Sequence, residues 1–517
     1  MEVPWESARL PPLDLGIIAL YVGGILYLGL RSRLSPEDRV ENYLLGGRRL
    51  TLVPFVATLV STWYGGILGV GEFTYLNGVV NLVVFGLPYY VFAILYALFL
   101  AARIRDGDAL TIPERFRQSF GPRSARFSAA LVFLLTTPAP YLLMLGVMLN
   151  FLLGLDLWVA ILLGTIFSTI YLWRGGFQAV VRTDLLQFIL MFVGFAVLLG
   201  MLAGKESLPH MWQGLPAGYR DWRGAEHLSL QVIIVWFLIA SWTFVDPGFY
   251  QRCAAARTGR TAARGILISV IFWLVFDLLT TATGLYAVTQ LPDLSGQPGG
   301  PVGTYPLLGV AVLPAGLRGL FFAALLAIIM STVDSFVFIS ATTLGRDFAA
   351  PGGESTNPGR TRRRRHVEAS PGRGRRTDAE RQRIRWGIVA SGIIGYILAV
   401  SMPSVVELWY TLGMLLVPGL LLPILFTFHP RLTLSDTAAL TVGLAGVLTA
   451  GLWLLTPGVM RWLGGGGETY PFGLQPMLPG LLVTMILVPI LGRSVPAAGQ
   501  TPMNSGDSPL PDKKTGR

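Results

Sequence analysis

The chain has 517 residues, of which 53% are hydrophobic and 13% charged, and its mean hydropathy is +0.59. Soluble domains carry about 25% charged residues, so this composition excludes a soluble multidomain protein and points to a chain that spends most of its length in a bilayer. The net charge of +11 would suggest nucleic acid in a soluble protein; here the basic residues are read as topology signals, and no nucleic-acid partner is expected.

One cysteine and four scattered histidines offer neither a disulfide framework nor a metal cluster, so no resident cofactor is expected. The start, MEVPWESARLPP, has no basic n-region or small-residue cleavage site, which reads as no cleaved signal peptide.

In chain order, apolar runs of spanning length lie at about 13–31, 50–75, 80–102, 125–153, 157–173, 180–203, 229–250, 265–289, 305–345, 386–402, 404–428, 434–456 and 472–492. These predict an all-α polytopic membrane protein with about thirteen transmembrane helices. With the N-terminus outside and the C-terminus cytoplasmic, 34 of the 40 Lys and Arg fall in cytoplasmic segments, which favours this count and orientation and a plasma (inner) membrane location. A single membrane domain over 1–493 is expected, interrupted by a basic cytoplasmic linker at 349–385 and followed by a disordered tail at 494–517.

Four spans carry unusual polarity. The second, VATLVSTWYGGILGVGEFTY, has Ser61 and Thr62 before Gly65 and Gly66; mid-span glycines allow unwinding, or close helix packing. The sixth opens with Thr183, Asp184 and Gln187, where Asp184 and Gln187 share a helix face and Asp184 can cap or pair with Arg182. The seventh is broken by Asp246-Pro247-Gly248, because proline lacks a donor and clashes with the preceding turn; a juxtamembrane Asp facing Arg252 is the alternative. The ninth, AIIMSTVDSFVFISATTLGRD, puts Ser331, Asp334 and Ser335 on one side of a helix, with Thr332 about 100° from Ser331. An ionisable residue at membrane depth costs roughly 2.5–3.5 kcal/mol and is by default a functional feature. The alternative is that the hydroxyls serve packing and Asp334 sits near an aqueous end.

Two blocks in order and in the right spans, GGFQAVVRTDLLQ at 175–187 and AIIMSTVDS at 327–335, carry a family resemblance, with weaker support from TIPERFRQSFG, QRCAAA and GILGVGEFTY. The chain resembles the sodium:solute symporters, relatives of the sodium/proline, sodium/pantothenate and sodium/glucose transporters. The resemblance implies a LeuT-type core of five plus five helices in inverted repeats, about 50–203 and 229–428, with sites where the first helix of each repeat is broken.

It also implies a sodium-coupled symporter of a small organic solute rather than an enzyme, with sodium as the coupling ion. By that resemblance Ser331 and Thr332 are hydroxyl ligands and Ile328 a carbonyl ligand, and alignment from Gly69 adds the carbonyls of Leu59 and Thr62. Asp184, Asp334 and Ser335 would line an exit path or a second ion position; Arg182 stands where Trp is common in the family. The expected substrate wall is Ser61, Tyr64, Gly65, Trp242, Thr243, Asp246, Trp409 and Tyr410. An Asp246 facing the cavity favours amines or amino acids, and otherwise sugars and carboxylates remain open. The rival readings are a proton-coupled or uncoupled transporter of the same fold and, more remotely, a multi-spanning membrane enzyme.

Overall fold

The computed structural model describes residues 10–31, 40–291, 293–294, 300–348, 372–401, 405–429, 432–462 and 470–494. The principal helices are α1 (Pro12–Arg31), α2 (Leu52–Trp63), α3 (Ile67–Asn77), α4 (Leu87–Phe99), α5 (Ile112–Ser119), α6 (Pro122–Leu135), α7 (Ala139–Leu153) and α8 (Leu157–Lys205). They continue as α9 (Leu230–Ile239), α10 (Pro247–Ala255), α11 (Gly259–Gln290), α12 (Thr304–Val312), α13 (Leu317–Thr342), α14 (Gly372–Ser401), α15 (Val405–Phe426), α16 (Asp436–Trp462) and α17 (Met477–Leu491).

Among the described residues ten helices are long and apolar enough to cross a membrane, and the bent pair α2 and α3 supplies an eleventh crossing. The shorter apolar helices Leu157–Ile170 and Met477–Leu491 occupy the other two predicted positions. A spanning helix satisfies its own backbone, which is why a nearly all-helical chain results.

Three boundaries differ from the sequence reading. The predicted run 305–345 is two elements, because Leu313 precedes Pro314 and takes an extended conformation (φ −88°, ψ 134°) that ends α12 before α13 begins. The run 125–153 is likewise interrupted between α6 and α7, ahead of Pro138. α14 starts at Gly372, inside the expected linker; residues 349–371 of that linker and 495–517 of the tail lie outside the described residues.

The expected fifth and sixth spans are one helical stretch, α8, kinked at Gly176 (φ 56°, ψ −155°). That backbone suits only glycine, and a Cβ there would also press on Tyr43.

Each set of five spans opens on a broken helix. α2 and α3 meet at Tyr64–Gly66 with a 55° bend, and α9 gives way to a 3-10 segment, Ala240–Phe244, before α10. α13 runs through the centre, packed against α1, α2, α7, α8 and α14, and 94% of its most apolar window is buried. One end of it is pinned by ions: Arg346 reaches Glu114, Asp347 and Glu380 at 3.0, 3.5 and 2.9 Å, and Thr111 donates to Asp347 at 2.9 Å while capping α5.

Candidate functional site

The break in α2 and α3 exists because two glycines meet large neighbours. A Cβ at Gly65 would overlap the Thr332 side chain, and one at Gly66 would overlap the Trp409 ring. Close approach is the role of both glycines: Gly65 lets α13 and Gly66 lets α15 come up against the break between α2 and α3.

At that contact Thr332 Oγ1 donates to Thr62 O at 2.7 Å and lies 3.4 Å from Ile328 O. Ser331 Oγ is 3.0 Å from Ser61 Oγ and 3.4 Å from Thr62 Oγ1, and Ser335 Oγ is 3.2 Å from Thr62 Oγ1. Thr62 is 9% exposed and the other four hydroxyl residues less than that. Neutral hydroxyl and carbonyl oxygens converging from two helices suit a hard monovalent cation, which needs ligand number more than ligand charge.

A charged layer adjoins these oxygens. Asp184 of α8 is fully buried; its Oδ1 accepts from Ser331 Oγ at 2.7 Å and its Oδ2 from Thr58. Facing it from α10, Arg252 Nη2 donates to Ser335, Thr62 and Thr58 at 2.7, 2.9 and 3.2 Å and lies 4.0 Å from Asp184 Oδ2. Arg252 Nε and Nη1 have no hydrogen-bond partner among the described residues, and the guanidinium sits 5.8 Å from the Phe177 ring. Asp334 is also fully buried, on the side of α13 that faces Tyr21 of α1, whose hydroxyl accepts from Gln187 at 3.2 Å.

A cavity of about 120 Å³ lies beside the oxygen cluster, and Thr62 and Arg252 belong to both. Of the predicted substrate residues, Tyr64, Trp242, Asp246 and Trp409 border it, as does Leu59. Ser61 points instead to Ser331, Gly65 packs on Thr332, Thr243 donates to Ala240 O at 2.9 Å, and Tyr410 lies tilted at 48° against Trp236 with ring centroids 5.0 Å apart. Asp246 Oδ1 caps α10 by accepting from Phe249 N at 2.8 Å.

Three residues of this region escaped the sequence reading. Arg252 was assigned to a cytoplasmic loop, whereas it is fully buried in α10. Thr58, one turn before Thr62, bridges Asp184 and Arg252. Asp277 of α11 borders the cavity and accepts from the Tyr90 hydroxyl. Its signal was present, since it is a lone carboxylate inside the apolar run VIFWLVFDLL.

The profile of the sodium:solute symporter family matches residues 43–351, more than half of the chain. The chain belongs to this family. Among its curated relatives, sodium/myo-inositol cotransporter 2 of Mus musculus is 26% identical over 392 residues, covering 66% of this chain and 57% of that protein. Sodium/glucose cotransporter 1 of Oryctolagus cuniculus is 24% identical over 397 residues, covering 64% and 57%. The chain thus spans a little over half the length of these relatives.

Among solved structures, a Na+-coupled sialic acid symporter in a substrate-bound outward-open state, with a novel Na+ site, superposes with a TM-score of 0.69 at 15% identity, covering 94% of this chain and 99% of that one. A nucleobase-cation-symport-1 family transporter, closed around bromovinylhydantoin, gives a TM-score of 0.55 at 12% identity, covering 88% and 94%. At these identities the likeness concerns the fold, which is the LeuT-type five-plus-five core expected for this sodium:solute symporter family member.

Proposed function

We propose that this family member is a sodium-coupled secondary active symporter that imports a small organic solute by alternating access. The observation that carries the reading is the convergence of Thr332 Oγ1, Thr62 O and Ile328 O, within 2.7 and 3.4 Å, where a broken helix meets α13. Sodium is held there by the hydroxyls of Ser331 and Thr332 and the carbonyls of Leu59, Thr62 and Ile328. Asp184, Asp334 and Ser335 form a second ion position or the exit path, and Tyr64, Trp242, Asp246 and Trp409 belong to the solute wall.

The domain is a single membrane unit over 1–493, with repeats at about 50–203 and 229–428. It sits in the plasma (inner) membrane with the N-terminus outside and the C-terminus inside, which is the arrangement that places most basic residues in the cytoplasm.

Moving one charge down 100 mV is worth roughly 2.3 kcal/mol, and a tenfold sodium gradient adds about 1.4 kcal/mol, so one ion supports a solute ratio of several hundred. Coupling is reciprocal: sodium raises solute affinity by the factor by which solute raises sodium affinity.

A solute library scored by thermal stabilisation in sodium against potassium identifies the solute. Its uptake into proteoliposomes under an imposed sodium or proton gradient then tests the coupling ion. Uptake indifferent to sodium overturns the proposal, and uptake driven by the proton gradient assigns Asp184 or Asp334 as the carrier instead.

A further inference from the structure

The oxygens that a second ion would use, around Asp184 and Ser335, are already gathered about a cation of the chain itself. Arg252 Nη2 has three hydroxyl oxygens in its shell, Ser335 at 2.7 Å, Thr62 at 2.9 Å and Thr58 at 3.2 Å, with Asp184 Oδ2 at 4.0 Å. Arg252, Asp184, Thr58 and Ser335 are at most 2% exposed, so water takes no part in this shell.

The hydroxyls are polarised to suit a positive charge. Thr58 and Ser331 donate to the two oxygens of Asp184, which leaves the lone pairs of Thr58 to the guanidinium. Arg252 Nε and Nη1 have no hydrogen-bond partner among the described residues, so the shell around Nη2 is what anchors the charge.

We infer that the side chain of Arg252 fills the second ion position, so that the protein binds one sodium, at the oxygens of Thr62, Ile328, Ser331 and Thr332, and carries one per cycle. This rests on the symport reading of that site. Arginine keeps its proton throughout the physiological pH range, so it serves as a permanent cation. A sodium added to the same shell would set two cations on one buried carboxylate. Unit charges about 4 Å apart at an effective dielectric of about 20 repel enough to weaken binding roughly a thousandfold. Asp184 neutralises Arg252, which leaves the neutral oxygens of the first site to sodium.

Sodium bound to the purified full chain is counted by equilibrium dialysis with radioactive sodium, and melting in potassium checks folding. Wild type is expected to bind one ion. Arg252→Ala, which empties the shell, is expected to bind a second, lost again when Asp184→Asn is added. Millimolar methylguanidinium, which refills the space, is expected to raise the melting temperature of Arg252→Ala in potassium and to displace only the second sodium. Should Arg252→Ala not fold, Arg252→Gln, neutral but still able to donate to the hydroxyls, decides in the same way.

Two ions on wild type, or a folded neutral variant that still binds one, overturns the inference while leaving sodium coupling intact. No ion on wild type and one on the neutral variant upholds the role of Arg252 and overturns the symport reading instead.

Discussion

Thr332→Val tests the ion site most directly. Valine has nearly the shape of threonine, so the substitution removes the hydroxyl that donates to Thr62 O at 2.7 Å and leaves the packing on Gly65 in place. Thr332 is 1% exposed, so water does not replace the lost oxygen. Losing a buried polar partner costs about 1–3 kcal/mol, and if that oxygen ligates sodium the cost appears as a roughly 5–150-fold weaker sodium affinity.

Thermal stabilisation by sodium, with potassium as control, measures it. At a sodium concentration one hundred times the wild-type Kd the ion stabilises by about 2.7 kcal/mol; a fiftyfold weaker Kd reduces this to about 0.6 kcal/mol. Thr332→Ser keeps the oxygen and is expected to stay close to wild type. A valine variant whose sodium titration superimposes on that of wild type would refute the reasoning and leave Thr332 as a packing hydroxyl.

Three further outcomes are expected. Arg252→Met leaves Asp184, 4.0 Å away, without its cation and is expected to destabilise by roughly 3–5 kcal/mol in denaturation, with part recovered in the double variant carrying Asp184→Asn. Gly66→Ala drives a methyl into the Trp409 ring and is expected to cost about 1–3 kcal/mol and to shift tryptophan emission; an unchanged spectrum and stability would show that the break tolerates a side chain.

Glu206, beyond the end of α8, is held below the usual carboxylate range by hydrogen bonds from His210 and Gln290. Its stabilising contribution is therefore present above the ordinary carboxylate pKa and lost as pH falls through the lowered folded value. Glu206→Gln is expected to flatten the acid limb of the melting temperature against pH.

The membrane spans were legible because bilayer insertion is a local property: each run of about twenty apolar residues satisfies its backbone alone, wherever its neighbours lie. The same locality exposed the breaks at Gly65-Gly66 and Asp246-Pro247-Gly248, since glycine and proline act on their own turn. Where a prediction merged two helices, as over 305–345, hydropathy outweighed the local signal of Pro314.

The partners of the polar residues were less legible. Arg252 was counted with the loop because arginine six residues past a helix break reads as an end-of-span charge. In the structure it has swung inward to join hydroxyls from α2 and α13. Asp184 had two local readings, cap or pair with Arg182, and took neither. Its contacts are Thr58 and Ser331, 126 and 147 residues away in the chain.

The sequence by itself therefore determined the membrane class, the positions of the broken helices and the two blocks that place the chain among sodium:solute symporters. These depend on side-chain hydrophobicity and backbone freedom within a few residues. Only the tertiary structure decided that Thr62, Ser331 and Thr332 converge, that Ser61 belongs with Ser331 while Asp246 and Asp277 border one aromatic cavity, and that Arg252 completes the charged layer. Those facts depend on how helices far apart in the chain pack together, and at the break between α2 and α3 the approach of α13 and α15 is set by Gly65 against Thr332 and Gly66 against Trp409, hundreds of residues away.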